Sequence, residues 1–349
     1  MTLNKYDFYQ SSYKDEQRED KAIQYHSYCK QNAKDIANKE KKKTLISNCS
    51  KKWFQDKKLE FLTETANNSS GISSNPDDLL KQLLPFSFGV RTDFCLASPY
   101  YSADDDKYSI FDNPLLKENV FKVPMMRGSS WKGVIASAAR TALEQDFSVE
   151  NILSFGRLFG SGSEEFREIE ALVKKHDYNQ KYQKKILFYA LMKFGKVSMK
   201  NINEEKQKEE LWKKIKAKEL QTQRGRLVFY PSYFNKIGLE MINPHKRRTK
   251  AGTHPIYYEV VPAGAEAIFQ LLYIPADNIT KPDAVRKVEY EKDKELLIAA
   301  LKLIFQANDE KPQIKIGAKT KLGWGRIVPR DEEKFQKMIV EVKDERTNQ

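Results

Sequence analysis

The 349-residue chain is 40% hydrophobic and 11% aromatic, enough to bury a substantial core as one large domain or one domain with appendages, and too much for a disordered chain. Its 61 Lys+Arg against 48 Asp+Glu give a formal charge of +13, a field that favours a polyanionic partner without selecting one. Cys29, Cys49 and Cys95 form no CxxC pair, which argues against a disulfide framework or zinc knuckle and fits a reducing cytoplasm. No stretch approaches the roughly 18 uninterrupted apolar residues of a membrane span.

Residues 1–84 form a Lys-rich extension and linker, in which AKDIANKEKKKTLI reads as solvated helix. TANNSSGISSNPDD then breaks the pattern as a loop, and Asp77 and Asp78 cap a short LLKQLL helix. The main domain is expected over 85–349. It opens with PFSFGVRTDFCLASPYY, where Phe86, Phe88, Val90, Phe94 and Leu96 follow the period of a half-buried strand. After a polar loop containing Asp104, Asp105 and Asp106, RGSSWKGVIASAARTALEQ changes to helical period, placing Trp131, Ile135, Ala138, Ala142 and Leu143 on one face.

Residues from about 150 to 222 read as a largely helical insertion, with patterns in KKILFYALMKF and EEKQKEELWKKIKAKELQ. RGRLVFYPSYF and PIYYEVVPAGAEAIFQLLYIP return to β period, and EKDKELLIAALKLIFQA is a second amphipathic helix. The order strand, helix, strands, helix, strand predicts an α+β fold of the βαββαβ, ferredoxin-like kind.

Three stretches carry candidate binding chemistry. At the loop-to-helix junction, Arg127, Gly128, Ser129, Ser130 and Lys132 combine a capping hydroxyl, a residue that lets a backbone approach closely, and two cations at a positive dipole end. An ordinary capped helix has the same features. In KIGAKTKLGWGRIVP, residues 315–329, Gly317, Gly323 and Gly325 alternate with Lys319, Lys321, Trp324 and Arg326, with no acidic residue between. The stretch matches neither the Walker nor the dinucleotide pattern. Its glycines suit close approach to a ribose-phosphate chain, with Trp324 to stack and cations to neutralise phosphates; a glycine-rich hairpin with solvated lysines fits equally well. The third stretch holds Arg224, Arg226, Lys236, Lys246, Arg247, Arg248 and Lys250 opposed by Glu240 alone, a cationic run able to track phosphates. His245 and His254 flank it, and the four histidines of the chain suggest no metal-binding cluster.

VPMMRGSSWKGVIASAAR resembles the P-x-x-x-G-S-S-x-K-G segment that opens the first helix of the RAMP superfamily of CRISPR-associated proteins. IGAKTKLGWGRI resembles that family's C-terminal glycine-rich loop, and RGRLVFYPSY its strand after the variable insertion. The resemblance implies a modified ferredoxin-like, RRM-like RAMP fold with helical insertions and an N-terminal helical extension. It further implies a subunit of a type III, Cmr-like or Csm-like effector complex that binds CRISPR guide RNA and positions target RNA. Related RAMP subunits and small helical subunits would be its neighbours. INPH followed by a basic loop and PIYYEVVP is similar to a terminal capping subunit of a Cmr complex. The contact set implied is Arg127, Gly128, Ser129, Ser130, Lys132, Arg140, Lys246, Arg247, Arg248, Lys250, Lys319, Lys321, Trp324 and Arg326.

FDNPLLKE, residues 111–118, is similar to the x-D-x-P-I-x-R-E loop of the family's RNA-cleaving subunits, making Asp112 the candidate catalytic carboxylate, with Leu116 and Lys117 departing from the pattern. A divalent cation is implied only if Asp112 cleaves RNA; otherwise no cofactor is. A turn begun by Asp112, Asn113 and Pro114 fits as well. Two alternatives stand beside guide binding: a metal-independent guide-processing endonuclease using His245 or His254, and a protein-interaction scaffold with a basic face.

Overall fold

The structure is a computed structural model that describes residues 58–72, 82–105, 113–145, 148–161, 223–243, 256–305, 314–330 and 339–341. Helix α1 spans Lys58–Ser69 and strand β1 Phe88–Leu96; β2, Met125–Met126, leads into α2, Gly128–Gln145, and then α3, Val149–Phe159. Short strands β3 (Gly160–Ser161) and β4 (Gln223–Arg224) pair with each other. There follow β5 (Leu227–Phe229), β6 (Ser232–Tyr233), β7 (Gly238–Ile242), β8 (Ile256–Val260), β9 (Glu266–Tyr273), α4 (Asp283–Phe305), β10 (Ile327–Pro329) and β11 (Ile339–Glu341).

The principal sheet has the order β10-β1-β9-β5, every neighbour antiparallel, and β11 pairs with the opposite half of β1 from β10. With α2 between β1 and β5, and α4 between β9 and β10, this is the ferredoxin-like order 4-1-3-2. The expected α+β, βαββαβ architecture is therefore present. The order has a physical basis: a helical crossover joins parallel strands and leaves a one-strand gap, filled by β9 between β1 and β5 and by β1 between β9 and β10.

Side-chain period fixes the core. Phe88, Val90, Thr92, Phe94 and Leu96 point to the helix side, while Arg91 and Cys95 are half-buried and Asp93 exposed on the other. Phe86, read as the first strand residue, instead sits before β1 in a turn at φ 65°, its ring under the Arg286 guanidinium at 4.8 Å. Trp131, Ile135, Ala138 and Leu143 of α2 are buried as their spacing predicts. Trp131 meets Phe94 edge-on at 5.8 Å and lies 4.6 Å from Phe269, so one indole joins helix, central strand and its neighbour.

Three local expectations are revised. Helix α1 continues through Ser69, so the first residues of TANNSS are helical; Leu59 and Ala66 are buried, and the Thr63 hydroxyl donates to the Phe234 carbonyl at 3.2 Å. Helix α4 begins at Asp283, well before the EKDKELL run. Helix α2 begins at Gly128, with the Arg127 carbonyl accepting from the Ser130 and Trp131 amides, so Ser129 and Ser130 stand inside the first turn, not at the cap. The patterns AKDIANKEKKKTLI, KKILFYALMKF and EEKQKEELWKKIKAKELQ lie outside the described residues. No helix among the described residues is long and apolar enough to cross a membrane.

Candidate nucleic-acid interface

One end of the sheet, where β1 finishes and β10 begins, gathers four loops. The segment after β1 reaches Tyr100 and Tyr101, whose carbonyls bond the Val261 amide at 2.9 Å and the Ala318 amide at 2.7 Å respectively. Two further amide bonds, Gly325 to the Pro99 carbonyl and Ile316 to the Gly325 carbonyl, close the base of the glycine-rich loop at 2.8 and 2.9 Å. The Arg326 amide adds a bond to the Ser98 hydroxyl at 2.8 Å.

Two glycines make this closure possible. A Cβ on Gly325 would lie 1.8 Å from the Ile316 carbonyl oxygen, and one on Gly317 would lie 2.6 Å from that of Tyr101 and 2.7 Å from the Tyr100 ring. Both have positive φ, +81° and +76°, so the sequence needs glycine there for space and for conformation.

Above this base the loop turns through a 3-10 helix, Thr320–Leu322, with left-handed residues at both ends: Lys319 at φ 60° and Gly323 at φ 91°. A left-handed lysine costs about 1–2 kcal/mol, and the loop holds it by hydrogen bonds. The Leu322 amide donates to the Lys319 carbonyl at 2.8 Å, the Gly323 amide to that of Thr320 at 3.0 Å, and Lys315 Nζ to the same Thr320 carbonyl at 3.1 Å. Lys319, Lys321 and Arg326 are all exposed.

Trp324, expected to stack on RNA, is half-buried, edge-on to Tyr258 at 5.9 Å and to Tyr101 at 6.5 Å. Its indole supports the loop from below. Lys319 Nζ lies 5.1 Å from the centre of the Tyr258 ring, a cation–π contact that aims the lysine along the same surface.

Arg127 reaches this end as well. The buried Tyr100 ring touches Gly317, and the phenol, pushed up by burial, is partly drawn back by its hydrogen bond with Ser102 and by the nearby Arg127 charge. Gly128 is required by proximity: a Cβ would lie 2.5 Å from the Phe229 carbonyl oxygen. Arg127, Ser129 and Lys132 are exposed and Ser130 is half-buried. Arg140 lies a further 12 residues along α2 from Gly128, about 18 Å at 1.5 Å per residue, and is half-buried. Helix geometry thus sets it well apart from the junction.

The segment Asn113–Glu118 runs along β8 at the same end. Asn113 Nδ2 donates to the Tyr257 carbonyl at 3.1 Å, and the Asn113 carbonyl accepts from the Glu259 amide at 3.1 Å. Lys117, only 7% exposed, forms an ion pair with the fully buried Glu259, whose carboxylate also accepts from the Leu115 amide at 3.1 Å. The lysine that departs from the family pattern is thus a structural anchor. Asp112 is outside the described residues, as are Asp106, His245, Lys246, Arg247, Arg248, Lys250 and His254; the last six belong to the stretch joining β7 to β8. Asp104 is half-buried and Asp105 exposed, and among the described residues no three His, Cys, Asp or Glu side chains gather as a metal site.

Arg226, read from the sequence as part of a cationic run, has a different role. It is 3% exposed and all five of its donors are used. Nε and Nη2 bond the two Asp277 oxygens at 2.6 and 2.8 Å, and Nη2 also bonds Glu289 at 2.6 Å. Nη1 bonds the Tyr273 hydroxyl at 2.9 Å and Asp293 at 3.0 Å. Arg157 of α3 binds the other side of Asp293 at 2.6 Å. This network joins α3, β9 and α4 to the residue just before β5, leaving Arg226 unable to meet a phosphate.

Beside the network, α3 and α4 enclose a cleft of about 620 Å³ lined by Glu150, Arg157, Asp277, Lys281, Glu289 and Lys292 with Leu153, Val285 and Val288. Its charges balance, three acidic against three basic, so it offers a polyanion no net attraction. It lies by the Tyr273 end of β9, which pairs with Phe88 at the start of β1, the opposite end of the sheet from the glycine-rich loop. Sequence reading quoted the stretches PIYYEVVP and IGAKTKLGWGRI but singled out none of Tyr257, Tyr258 and Leu322 within them; Tyr257 is 43% exposed and Leu322 58%.

No curated protein matches the chain. Among solved structures it is similar to a chain of the type III-B Cmr-beta bound to cognate target RNA, at 13% identity over 84% of this chain and 73% of that one, with a TM-score of 0.42. It is also similar to Cmr6 from Pyrococcus furiosus, at 17% identity over 70% of this chain and 98% of that one, with a TM-score of 0.31. The model of the RAMP superfamily matches residues 107–328, a span that holds the α2 entry, β5, the β7–β8 ribbon, β9, α4 and the whole glycine-rich loop, and on this match the chain belongs to the RAMP superfamily.

Proposed function

We propose that this chain is a guide RNA-binding subunit of a type III CRISPR effector complex, packing beside related RAMP subunits and positioning the guide:target duplex. The observation that carries the reading is the glycine-rich loop: it is bonded to the body at its base and presents Lys319, Lys321 and Arg326 to solvent with no carboxylate among them. Arg127 and Lys132 extend the same cationic end from the start of α2. Such a surface grips phosphates at fixed spacing and does not require particular bases, which suits a subunit whose sequence information comes from RNA pairing.

Lys246, Arg247, Arg248 and Lys250 are assigned to the same RNA path because β7 and β8 pair as far as Ile242 and Ile256, and these residues fall in the stretch that joins the two strands. Asp112 is the candidate carboxylate for target cleavage with a divalent ion; its neighbour Asn113 is held at Tyr257.

The test is to purify the assembled complex from cells co-expressing its partner subunits, and to sequence the RNA it retains. Wild type is expected to carry RNA of uniform guide sequence, and a Lys319→Glu/Lys321→Glu variant to lose most of it at moderate salt. Absence of RNA from the wild-type assembly would refute the proposal. Asp112→Ala is expected to retain guide; target cleavage unchanged in that variant would remove Asp112 from any catalytic role and leave the subunit as a binding element.

A further inference from the structure

We infer that Leu322 is a nucleotide-contacting residue: its side chain packs against the face of one RNA base while Lys319 and Lys321 hold the flanking phosphates. This deepens the RNA-binding reading and rests on it. Leu322 is 58% exposed at the crest of the 3-10 turn. A single exposed leucine on a surface is ordinary, but this one occupies a built position. The turn that raises it is bounded by two left-handed residues, one of them a lysine, and strain of this kind persists only where surrounding bonds hold it, most often at binding sites. Here they do so: the amide of Leu322 itself closes the turn onto Lys319, and Lys315 clamps the Thr320 carbonyl.

The chemistry of the crest is mixed in a way that fits a nucleotide. Exposed cations at Lys319, Lys321 and Arg326 flank Leu322 on both sides along the chain. A protein surface offers no regular succession of negative charges around an apolar plane, whereas a nucleic-acid strand does, with base faces lying between consecutive phosphates. The ring of Trp324, the aromatic group of this loop, is turned inward onto Tyr101 and Tyr258, and Leu322 is the most exposed large apolar side chain of the stretch.

The two kinds of contact differ in their response to salt. Phosphate contacts release counterions and set the slope of affinity against salt; an apolar contact releases none. Leu322→Ala in the reconstituted assembly should therefore weaken guide binding by about tenfold at every salt concentration, in line with loss of one buried leucine contact, with the slope unchanged. Lys321→Ala should reduce the slope by about 0.7, the value for one contact to a single strand. A diazirine analogue of leucine at position 322 should cross-link on irradiation to one nucleotide of the bound guide.

Cross-linking to protein alone in an assembly that retains its RNA, or a Leu322→Ala variant that binds with wild-type affinity, would overturn the inference and leave RNA binding standing. An Ala variant that changes the slope as well as the affinity would show loop collapse, and would also overturn it. An assembly with no RNA would instead remove the reading on which the inference depends.

Discussion

At the scale of single residues, charge in the sequence and charge at the surface are different quantities. Arg226 and Lys319 look alike on paper, each a cation in a short basic stretch that also carries glycine. In the fold, Arg226 is enclosed by carboxylates 51, 63 and 67 residues further along the chain, while Lys319 faces solvent. Removing the guanidinium leaves Asp293, fully buried, with Arg157 and Tyr273 as its remaining described partners. Arg226→Ala should lower the unfolding free energy by about 3–5 kcal/mol, read by urea denaturation; a loss below about 1 kcal/mol would contradict the network's role. Glu289 gives the pH dependence. Burial raises its carboxyl, but hydrogen bonds from Lys281 and Arg226 and the Arg226 charge outweigh that and hold it at about 2, below its ordinary 4.5. A group depressed in the folded state contributes stability that is complete above its unfolded value and is lost as pH falls through the folded one. Stability should therefore fall between about pH 4.5 and 2, and Glu289→Gln should flatten that part of the profile while lowering stability at neutral pH.

At the scale of elements, the start of α2 carries both packing and binding. Trp131 Nε1 donates to the Ser232 hydroxyl at 2.9 Å, which donates in turn to the Ile268 carbonyl at 2.6 Å, so the first turn of the helix is tied to β6 and β9. Gly128 lets that turn sit against β5, with the Phe229 carbonyl where a Cβ would be. Gly128→Ala must push α2 away from β5, which displaces Arg127 and loosens the Trp131 contacts together. The expected result is a loss of about 1–3 kcal/mol with weakened RNA retention, measured by thermal unfolding and by RNA content of the purified complex. Wild-type values of both would show that the close approach is dispensable.

At the scale of the whole molecule, the chain separates two kinds of surface. The glycine-rich loop exposes Lys319, Lys321 and Arg326 with no acidic residue of its own, while the α3–α4 cleft at the other end of the sheet is balanced in charge. If Lys319, Lys321 and Arg326 each meet one phosphate of a single strand, their joint contribution to the salt slope is about −2. Binding should then weaken roughly twentyfold through these three alone between 50 and 200 mM salt. A titration of guide affinity against salt in the Lys319→Ala/Lys321→Ala/Arg326→Ala variant measures it directly: a slope equal to wild type would mean that the end of the sheet does not carry the RNA.

The sequence by itself determined the elements whose pattern is local. The strand period of β1, the helical face of α2 and the order of helices and strands were legible because side chains alternate with fixed period in each, and that order leads to the ferredoxin-like sheet. The glycine-rich loop was legible for a similar reason, since positive φ and close backbone approach both demand glycine at set positions. Only the tertiary structure decided which charges are free and which aromatic groups face outward. Arg226 and Lys117 are held by carboxylates distant in sequence, and Trp324 is turned inward against Tyr101 and Tyr258. Such outcomes depend on long-range neighbours, and a pattern confined to a few consecutive residues does not contain them.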